Sequence, residues 1–287
     1  MSRLFDALQQ SVETPSEPGF SEALAVLREF GSPALAAARV RSLDLPRNGG
    51  VRLLSVTAPG SPGAERFRLL GTRLKQIKDV AKFKTLLITS CVRDEGKSLV
   101  AANLALSLAS NQERVLLIDG DLRRPTLGDV FVVSATSGIA EWKNDTAVAE
   151  LFYRVKGLPL WFLPAGAAPA QPLDILNAPR VASLMAQIGD AFDWVLIDSP
   201  PLMPFADTTL WTAASDRVLL VVREGHTPRR LLKKATEMIQ KGKLLGTVMN
   251  DASDTEKTSY YAYRQPSPNR AAKAPSQRAA MPAKRRK

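Results

Sequence analysis

Soft metal ligands and disulfide partners are almost missing from this sequence of 287 residues, which contains one cysteine, Cys91, and one histidine, His226. A single cysteine excludes an intramolecular disulfide and suits a reducing compartment, and the two residues together are too few for a structural zinc site. Long apolar runs are missing as well. None approaches the ~20 residues that span a bilayer, and the first residues do not resemble a signal peptide. We therefore expect a cytoplasmic protein that reaches a membrane only through a partner or a surface contact.

Acidic residues are absent from the last part of the chain, although the sequence as a whole has 39 Lys and Arg against 28 Asp and Glu, a net charge of +11. Residues 264–287 contain eight of the basic residues and no acidic one, and subtracting those eight from +11 leaves +3 on residues 1–263. The excess charge is therefore a property of the tail, and we expect no specific nucleic-acid partner. Two interpretations of the tail stay open: a solvated segment, or a peripheral contact with anionic lipid or an acidic partner surface.

Composition divides the chain into three parts. Residues 1–50 combine two short helical patterns with prolines and a Gly-Gly pair, which predicts a flexible N-terminal helical arm and a linker. Residues 51–255 contain regular apolar patterns and form the predicted folded domain. Residues 256–287 lack apolar periodicity and are rich in Pro, Ala, Ser and basic residues, which predicts a disordered tail.

Short apolar runs alternate with helical patterns through the middle part. The predicted strands are 85–89, 115–119, 160–163, 194–198, 217–222 and 244–250. The predicted helices are 64–78, 98–110, 180–191 and 229–241. Nearly continuous apolar strands that alternate with helices indicate a mostly parallel sheet covered on both faces, so we predict a three-layer α/β fold.

The first strand runs through a loop into Gly96-Lys97-Ser98 and then a helix. Backbone N–H groups at the start of a helix attract anions, a lysine there can contact the β- and γ-phosphates of a nucleotide, and a serine hydroxyl can bind Mg²⁺. The segment therefore predicts a phosphate-binding loop. A tight strand-to-helix turn without a ligand is the alternative.

Two more strands end in carboxylates. Val115–Asp119 is followed by Gly120 and Asp121, and Trp194–Asp198 also ends in an acid. Carboxylates at the carboxyl edge of a parallel sheet lie where ligands bind in open α/β folds, and they can hold hydrated Mg²⁺ or accept a proton from an attacking hydroxyl. The alternative for the first pair is that turn-forming acids form ion pairs with the arginines that follow them.

Taken together, the segments LLITSCVRDEGKSLVAANLALSLA, RVLLIDGDLRRPTLGDVF, FDWVLIDSPPLMPFADTTLWTAASDRVLLVV and LLGTVMND resemble the bacterial tyrosine kinases of capsule and exopolysaccharide synthesis. That family lies within the P-loop ATPases that include the ParA and MinD types. The resemblance spans roughly residues 60–252 and is most specific at 119–125. It implies a P-loop NTPase fold and an ATP- and Mg²⁺-dependent protein-tyrosine kinase.

The resemblance also implies a set of site residues. Catalytic roles fall to Lys97, Asp119, Asp121 and Asp198. Nucleotide contacts fall to Asp94, Glu95, Gly96, Lys97, Ser98, Leu99 and Asn250. Mg²⁺ ligands are Ser98, Asp119 and Asp198.

The substrate that the resemblance implies is the tail of the protein itself. Three of the four tyrosines, Tyr260, Tyr261 and Tyr263, lie within four positions just after the last predicted strand. An aromatic patch that docks the tail on the body is the alternative. Further implications are self-association into a ring, activation by a transmembrane chain-length-determinant protein, and recruitment to the inner face of the membrane.

Two positions depart from the family pattern. Arg93 and Asp94 stand where the loop usually has Pro and Gly, and Asp94 brings a carboxylate close to a polyanion. Gly71 stands where the family has an arginine, after Glu65 and Arg68, which match. Two rival functions stay open. One is a ParA- or MinD-type positioning ATPase, although Val92 and Arg93 occupy the place of its signature lysine. The other, which the two departures suggest, is a degenerate kinase that acts as a scaffold.

Overall fold

A computed structural model describes residues 40–46, 53–134, 137–142, 148–188 and 191–252. The predicted N-terminal arm up to residue 39 and the predicted tail from residue 256 lie outside these ranges, so their predicted boundaries stay predictions.

The described residues form eight strands and eight α-helices. The strands are β1 (Arg41–Leu43), β2 (Thr85–Ser90), β3 (Val115–Asp119), β4 (Tyr153–Val155), β5 (Leu160–Leu163), β6 (Trp194–Asp198), β7 (Arg217–Arg223) and β8 (Leu244–Asn250). The helices are α1 (Leu54–Thr57), α2 (Pro62–Ala81), α3 (Lys97–Ser110), α4 (Leu127–Phe131), α5 (Pro172–Ile175), α6 (Ala178–Ile188), α7 (Asp207–Ala214) and α8 (Arg229–Met238).

All eight strands belong to one sheet with the order β1-β4-β5-β3-β6-β2-β7-β8. Neighbouring strands are parallel except for β4 and β5, which are antiparallel. Every residue of β2, β3, β5 and β6 is buried. The prediction of a mostly parallel α/β sheet is confirmed, and its six predicted strands appear within one residue of their expected ends.

Alternate residues of each strand pack into two separate apolar cores. Val115 and Leu117 belong to the core that also includes residues of α2, α3 and α4. Leu116 and Ile118 belong to the core that includes residues of α6, α7 and α8. Because successive side chains of a strand point to opposite faces, this division shows a three-layer arrangement with helices on both sides of the sheet.

Two short strands were not predicted. β1 and β4 have three residues each and pair with each other at one edge of the sheet. β1 also lies in the segment predicted as arm and linker. Half-exposed three-residue strands have too little apolar pattern to be recognised, and β1 pairs with a strand more than 100 residues away in the sequence.

Helix α2 begins with a capped turn and ends in a left-handed residue. Ser61 Oγ accepts a hydrogen bond from the Ala64 backbone N–H at 3.2 Å, and Lys82 ends the helix at φ 48°. Gly71 is buried where α2 packs on α3, and a Cβ atom there would lie 3.2 Å from Ser107 Oγ. The glycine therefore lets the two helices approach closely.

Candidate functional site

The carboxyl edge of the central strands collects the predicted site residues. β6 pairs with β3 on one side and with β2 on the other, and Asp198 is in register with both Asp119 and Ile88. The loop that follows β2 leads into α3, which begins at Lys97. Three neighbouring strands thus deliver the phosphate-binding loop and both acidic strand ends to one place, although they are far apart in the sequence.

The loop between β2 and α3 is held by internal contacts. Gly96 has φ 85° and Asp94 has φ 63°, both in the left-handed region that glycine adopts freely and aspartate tolerates. Glu95 is fully buried, and its carboxylate accepts hydrogen bonds from the Val92 backbone N–H at 2.9 Å and from the Thr227 hydroxyl. The loop is thereby tied to the segment that follows β7.

Asn250, at the end of β8, completes this anchor. Its side-chain amide donates a hydrogen bond of 3.0 Å to the Glu95 carbonyl, and a Cβ atom on Gly96 would lie 2.1 Å from Asn250 Nδ2. The structure thus places Asn250 against the loop itself. Thr227 was not predicted, since a Thr-Pro pair in a polar loop carries no signal of its contact with Glu95.

Lys97 lies among carboxylates rather than solvent. Its Nζ is 3.1 Å from Asp121 Oδ2 and 3.9 Å from Asp198 Oδ1. Burial alone would lower the pKa of Lys97, but the negative charges of Asp198 and Asp121 outweigh burial and raise it. Lys97 is therefore held protonated at the mouth of the loop.

Asp119 and Asp198 are buried acids with raised pKa values. Burial is the main cause for both, and it raises the pKa of Asp198 to about 6 even though the nearby Lys97 works in the opposite direction. For Asp119, burial and the charge of Asp198 raise the pKa well above its usual value. Neither carboxylate oxygen of Asp198 has a hydrogen-bond partner among the described residues. Two crowded, buried carboxylates of this kind fit a bound cation, which would supply the missing positive charge.

Asp119 is oriented by the backbone that follows it. Its carboxylate accepts hydrogen bonds from the N–H groups of Asp121 at 3.3 Å and Leu127 at 3.1 Å. Asp121 turns toward Lys97 and accepts a hydrogen bond from the Arg124 N–H at 3.1 Å. The alternative in which these acids form ion pairs with the next two arginines is not observed.

Ser98 lies beside this cluster at the start of α3. Thr126 donates a hydrogen bond of 2.9 Å from its hydroxyl to Ser98 Oγ. Leu99 follows in the first turn of the helix and is half-buried. The sequence analysis predicted Ser98 but not Thr126, because the two residues are 28 positions apart in the sequence.

A cleft of about 120 Å³ opens above Lys97. Beyond Lys97, its walls come from the phosphate loop, the segment after β3 and the segment after β6, and they comprise Arg93, Asp94, Asp121, Arg123, Arg124, Thr126, Pro201 and Phe205. Arg123 forms an ion pair with the buried Asp207, with Nε 2.5 Å from Oδ2. The sequence analysis missed Asp207 and Phe205, whose side chains belong to no recognisable motif.

The predicted phosphorylation sites Tyr260, Tyr261 and Tyr263 lie outside the described residues. Within the described part of the chain, no helix is long and apolar enough to cross a membrane.

Comparisons with known proteins identify a family and relatives that this chain resembles in sequence. The family described as "Cellulose biosynthesis protein BcsQ" matches residues 84–282. Tyrosine-protein kinase YwqD of Bacillus subtilis is 31% identical over 228 residues, which are 77% of this chain and 96% of YwqD. Succinoglycan biosynthesis transport protein ExoP of Rhizobium meliloti is 33% identical over 71% of this chain but only 27% of its own length. The region therefore occurs in relatives both as most of a protein and as a small part of a longer one.

Solved structures, a tyrosine kinase domain among them, are similar to this chain in fold. The chimerical protein CapA2B2 is 27% identical, with a TM-score of 0.65 over 79% of this chain and 97% of that chain. The BceF tyrosine kinase domain is 26% identical, with a TM-score of 0.62 over 82% of this chain and 90% of that chain.

Proposed function

The chain belongs to the BcsQ/ParA-like P-loop proteins and, among them, to the bacterial tyrosine kinases of exopolysaccharide and capsule synthesis, and from that premise we propose that it is an active protein-tyrosine kinase. Its substrates are ATP and the tyrosines of its own tail. The observation that supports this most directly is the convergence of Lys97, Asp121 and Asp198 at one edge of the sheet, with Lys97 Nζ 3.1 Å from Asp121 Oδ2. A strand-to-helix turn without a ligand would not need three buried or half-buried charges.

The nucleotide phosphates bind at the loop and at the N-terminus of α3. Backbone N–H groups of the loop and the Lys97 ammonium provide positive charge, and Gly96 allows the close approach of the backbone. The left-handed geometry of Asp94 preserves the loop turn without glycine. The departure from the family pattern at this position therefore changes the charge of the loop and keeps its conformation.

Mg²⁺ fits the carboxylates described above. Ser98, Asp119 and Asp198 would hold it, directly or through waters, and it would neutralise charge that develops on the transferred phosphoryl group. The two oxygens of Asp198, which accept no hydrogen bond from the described residues, and the raised pKa values of both acids support this assignment. Magnesium usually takes only one or two carboxylates together with substrate oxygens and water, which agrees with this small set.

Asp121 is the residue of the chain best placed to take the proton of the acceptor hydroxyl. Its carboxylate lines the cleft, and its orientation is set by the Arg124 N–H and the Lys97 ammonium. The proton of the tyrosyl hydroxyl passes to Asp121 as that oxygen forms a bond to the γ-phosphorus of ATP, and the bond from this phosphorus to the β,γ-bridging oxygen breaks and releases ADP. Lys97 stabilises negative charge on the phosphates. The rigid contacts around Asp121 keep it in position for this step.

We also propose a transmembrane activator of the polysaccharide system as partner, with recruitment of this chain to the inner face of the membrane. The match to 27% of ExoP supports the idea, since this relative joins a kinase-like region to a much longer transport protein. Self-association through α2 is part of the same proposal. Gly71 is buried against α3 and is therefore not part of the exposed surface of α2.

The experiment is a phosphotyrosine blot of the full chain after incubation with Mg·ATP. Lys97→Met and the combined change of Tyr260, Tyr261 and Tyr263 to phenylalanine should each abolish the signal, while a matched control at the exposed Lys233, Lys233→Met, should keep it. ATP turnover without phosphotyrosine would overturn the kinase in favour of a positioning ATPase. If the protein does not bind nucleotide, both the kinase and the positioning ATPase are overturned, and the degenerate kinase that acts as a scaffold remains.

A further inference from the structure

Two arginines of the cleft have no carboxylate partner among the described residues. Arg123 forms an ion pair with Asp207 and Lys97 with Asp121, whereas Arg93 and Arg124 take part in no such pair in the described part of the chain. Both line the cleft above Lys97. Guanidinium groups without an acid next to a phosphate-binding loop are available for an anionic ligand.

Arg93 is held in place by an aromatic ring. Its Cζ atom lies 5.2 Å from the centroid of Phe205, and Arg123 Cζ lies 4.8 Å from the same centroid. The Arg93 carbonyl is also 3.3 Å from Nε2 of His226. Stacking on a ring reduces the freedom of a long side chain and leaves the edge of the guanidinium, with its N–H donors, exposed for a ligand.

Asp94 places a negative charge next to Arg93 in the phosphate loop. It is exposed, lines the same cleft, and would repel a polyphosphate. The adjacent Arg93 adds the opposite charge at the same wall. Because Lys97 and Arg123 already face acids, Arg93 is the loop cation that can offset Asp94 and still donate hydrogen bonds to a ligand.

We propose that Arg93, positioned by Phe205, binds the phosphates of the nucleotide and compensates for the carboxylate of Asp94. The inference rests on the proposed function, because it needs a nucleotide at the loop. It assigns a binding role to one residue in which this chain departs from its family and a positioning role to Phe205, which contacts Arg93 and Arg123 and acts on the nucleotide through Arg93.

The test is the affinity of the full chain for Mg·AMP-PNP, a triphosphate that is not turned over, measured by titration calorimetry. Arg93→Ala should weaken binding about tenfold, as expected for the loss of a charged hydrogen-bond donor. Phe205→Leu should weaken it less, since Arg93 keeps its charge and its hydrogen-bond donors and loses only its contact with the ring. Combining the two changes should weaken binding no further than Arg93→Ala alone, and Asp94→Asn should tighten it.

The matched control is Arg73→Ala, which removes an exposed arginine of α2 and should leave affinity unchanged. Thermal unfolding of each variant checks that the fold is kept. If Arg93→Ala binds Mg·AMP-PNP as tightly as the unchanged protein, this inference alone is overturned. The same holds if the losses of affinity from Arg93→Ala and Phe205→Leu add in the double variant. If the unchanged protein does not bind Mg·AMP-PNP, both the proposed function and this inference are overturned. If the unchanged protein binds it and Lys97→Met does not, nucleotide binding at the loop stands, and Arg93→Ala then tests this inference alone.

Discussion

The indole N–H of Trp211 donates a hydrogen bond of 3.0 Å to the carbonyl of Gly120, the residue between the two acids Asp119 and Asp121. The Gly120 N–H in turn donates to the Asp198 carbonyl at 2.7 Å. The backbone of Gly120 therefore joins the ends of β3 and β6, and the fully buried Trp211 of α7 is hydrogen-bonded to the same residue.

Gly120→Ala should disrupt this junction. A Cβ atom there would lie 2.8 Å from the Asp198 carbonyl oxygen and 2.9 Å from the Trp211 ring, so the backbone must move. We expect a loss of about 1–3 kcal/mol in the free energy of unfolding and a loss of the proposed kinase activity. Urea denaturation checks the first and the phosphotyrosine blot the second. Gly246→Ala in β8 is the control, since no atom lies within 4 Å of a Cβ there. Equal stability of the two variants would contradict the role of Gly120.

Asp198→Asn should change how stability depends on pH. Burial raises the pKa of Asp198 from 3.8 to about 6, so in the absence of metal the folded protein binds this proton more tightly than the unfolded chain. The resulting stability is present below about pH 4 and is lost as pH rises to about 6. The unchanged protein should lose stability, on the order of a few kcal/mol, relative to Asp198→Asn over that interval, because the substitution removes this titration and the charge that raises the pKa of Asp119. Urea denaturation in a chelating buffer at pH 4 and 7 measures the difference, and a difference independent of pH would contradict the prediction.

Glu95→Ala should loosen the phosphate loop. The change leaves the N–H of the half-buried Val92 without an acceptor and removes the link to Thr227, which should lower the free energy of unfolding by about 1–3 kcal/mol. Glu95→Gln keeps one acceptor oxygen and should lose less. Thermal unfolding measures both, with the exposed Glu237→Ala of α8 as control. Equal losses for alanine and glutamine would argue against the hydrogen bonds as the cause.

Cys91 should be unreactive in the folded protein. It is fully buried at the end of β2, and burial raises the pKa of its thiol to about 12. Only a fraction on the order of 10⁻⁴ is then thiolate at pH 8. A colorimetric thiol reagent should label Cys91 only after unfolding in urea. Rapid labelling of the native protein would show an accessible thiol instead.

The interpretation of the tail as a contact with anionic lipid predicts that removal of residues 264–287 abolishes binding to anionic vesicles. These residues contain eight basic side chains and no acid, and each contributes about 1 kcal/mol near an anionic surface. Co-sedimentation with vesicles that contain phosphatidylserine measures the effect, and vesicles of phosphatidylcholine alone are the control. Undiminished binding by the shortened chain would place the membrane contact elsewhere.

The sequence by itself determined the central sheet and the main chemical groups. Six apolar runs marked their strands, and four of them are continuous because β2, β3, β5 and β6 are buried on both faces. The acids at the ends of β3 and β6 followed from strand polarity. Lys97 and Ser98 were recognisable because phosphate binding requires a particular order of neighbouring residues.

Only the tertiary structure decided which distant residues meet. The ion pair of Arg123 with Asp207, the stacking of Arg93 on Phe205, and the anchoring of Glu95 by Thr227 and Asn250 join positions from 84 to 155 residues apart. No local pattern encodes such contacts, since they arise from strand order and from the packing of loops at the sheet edge. The same holds for Gly71 and Gly120, whose close neighbours in space are not evident from the sequence. Their function is to leave space for α3 and for Trp211.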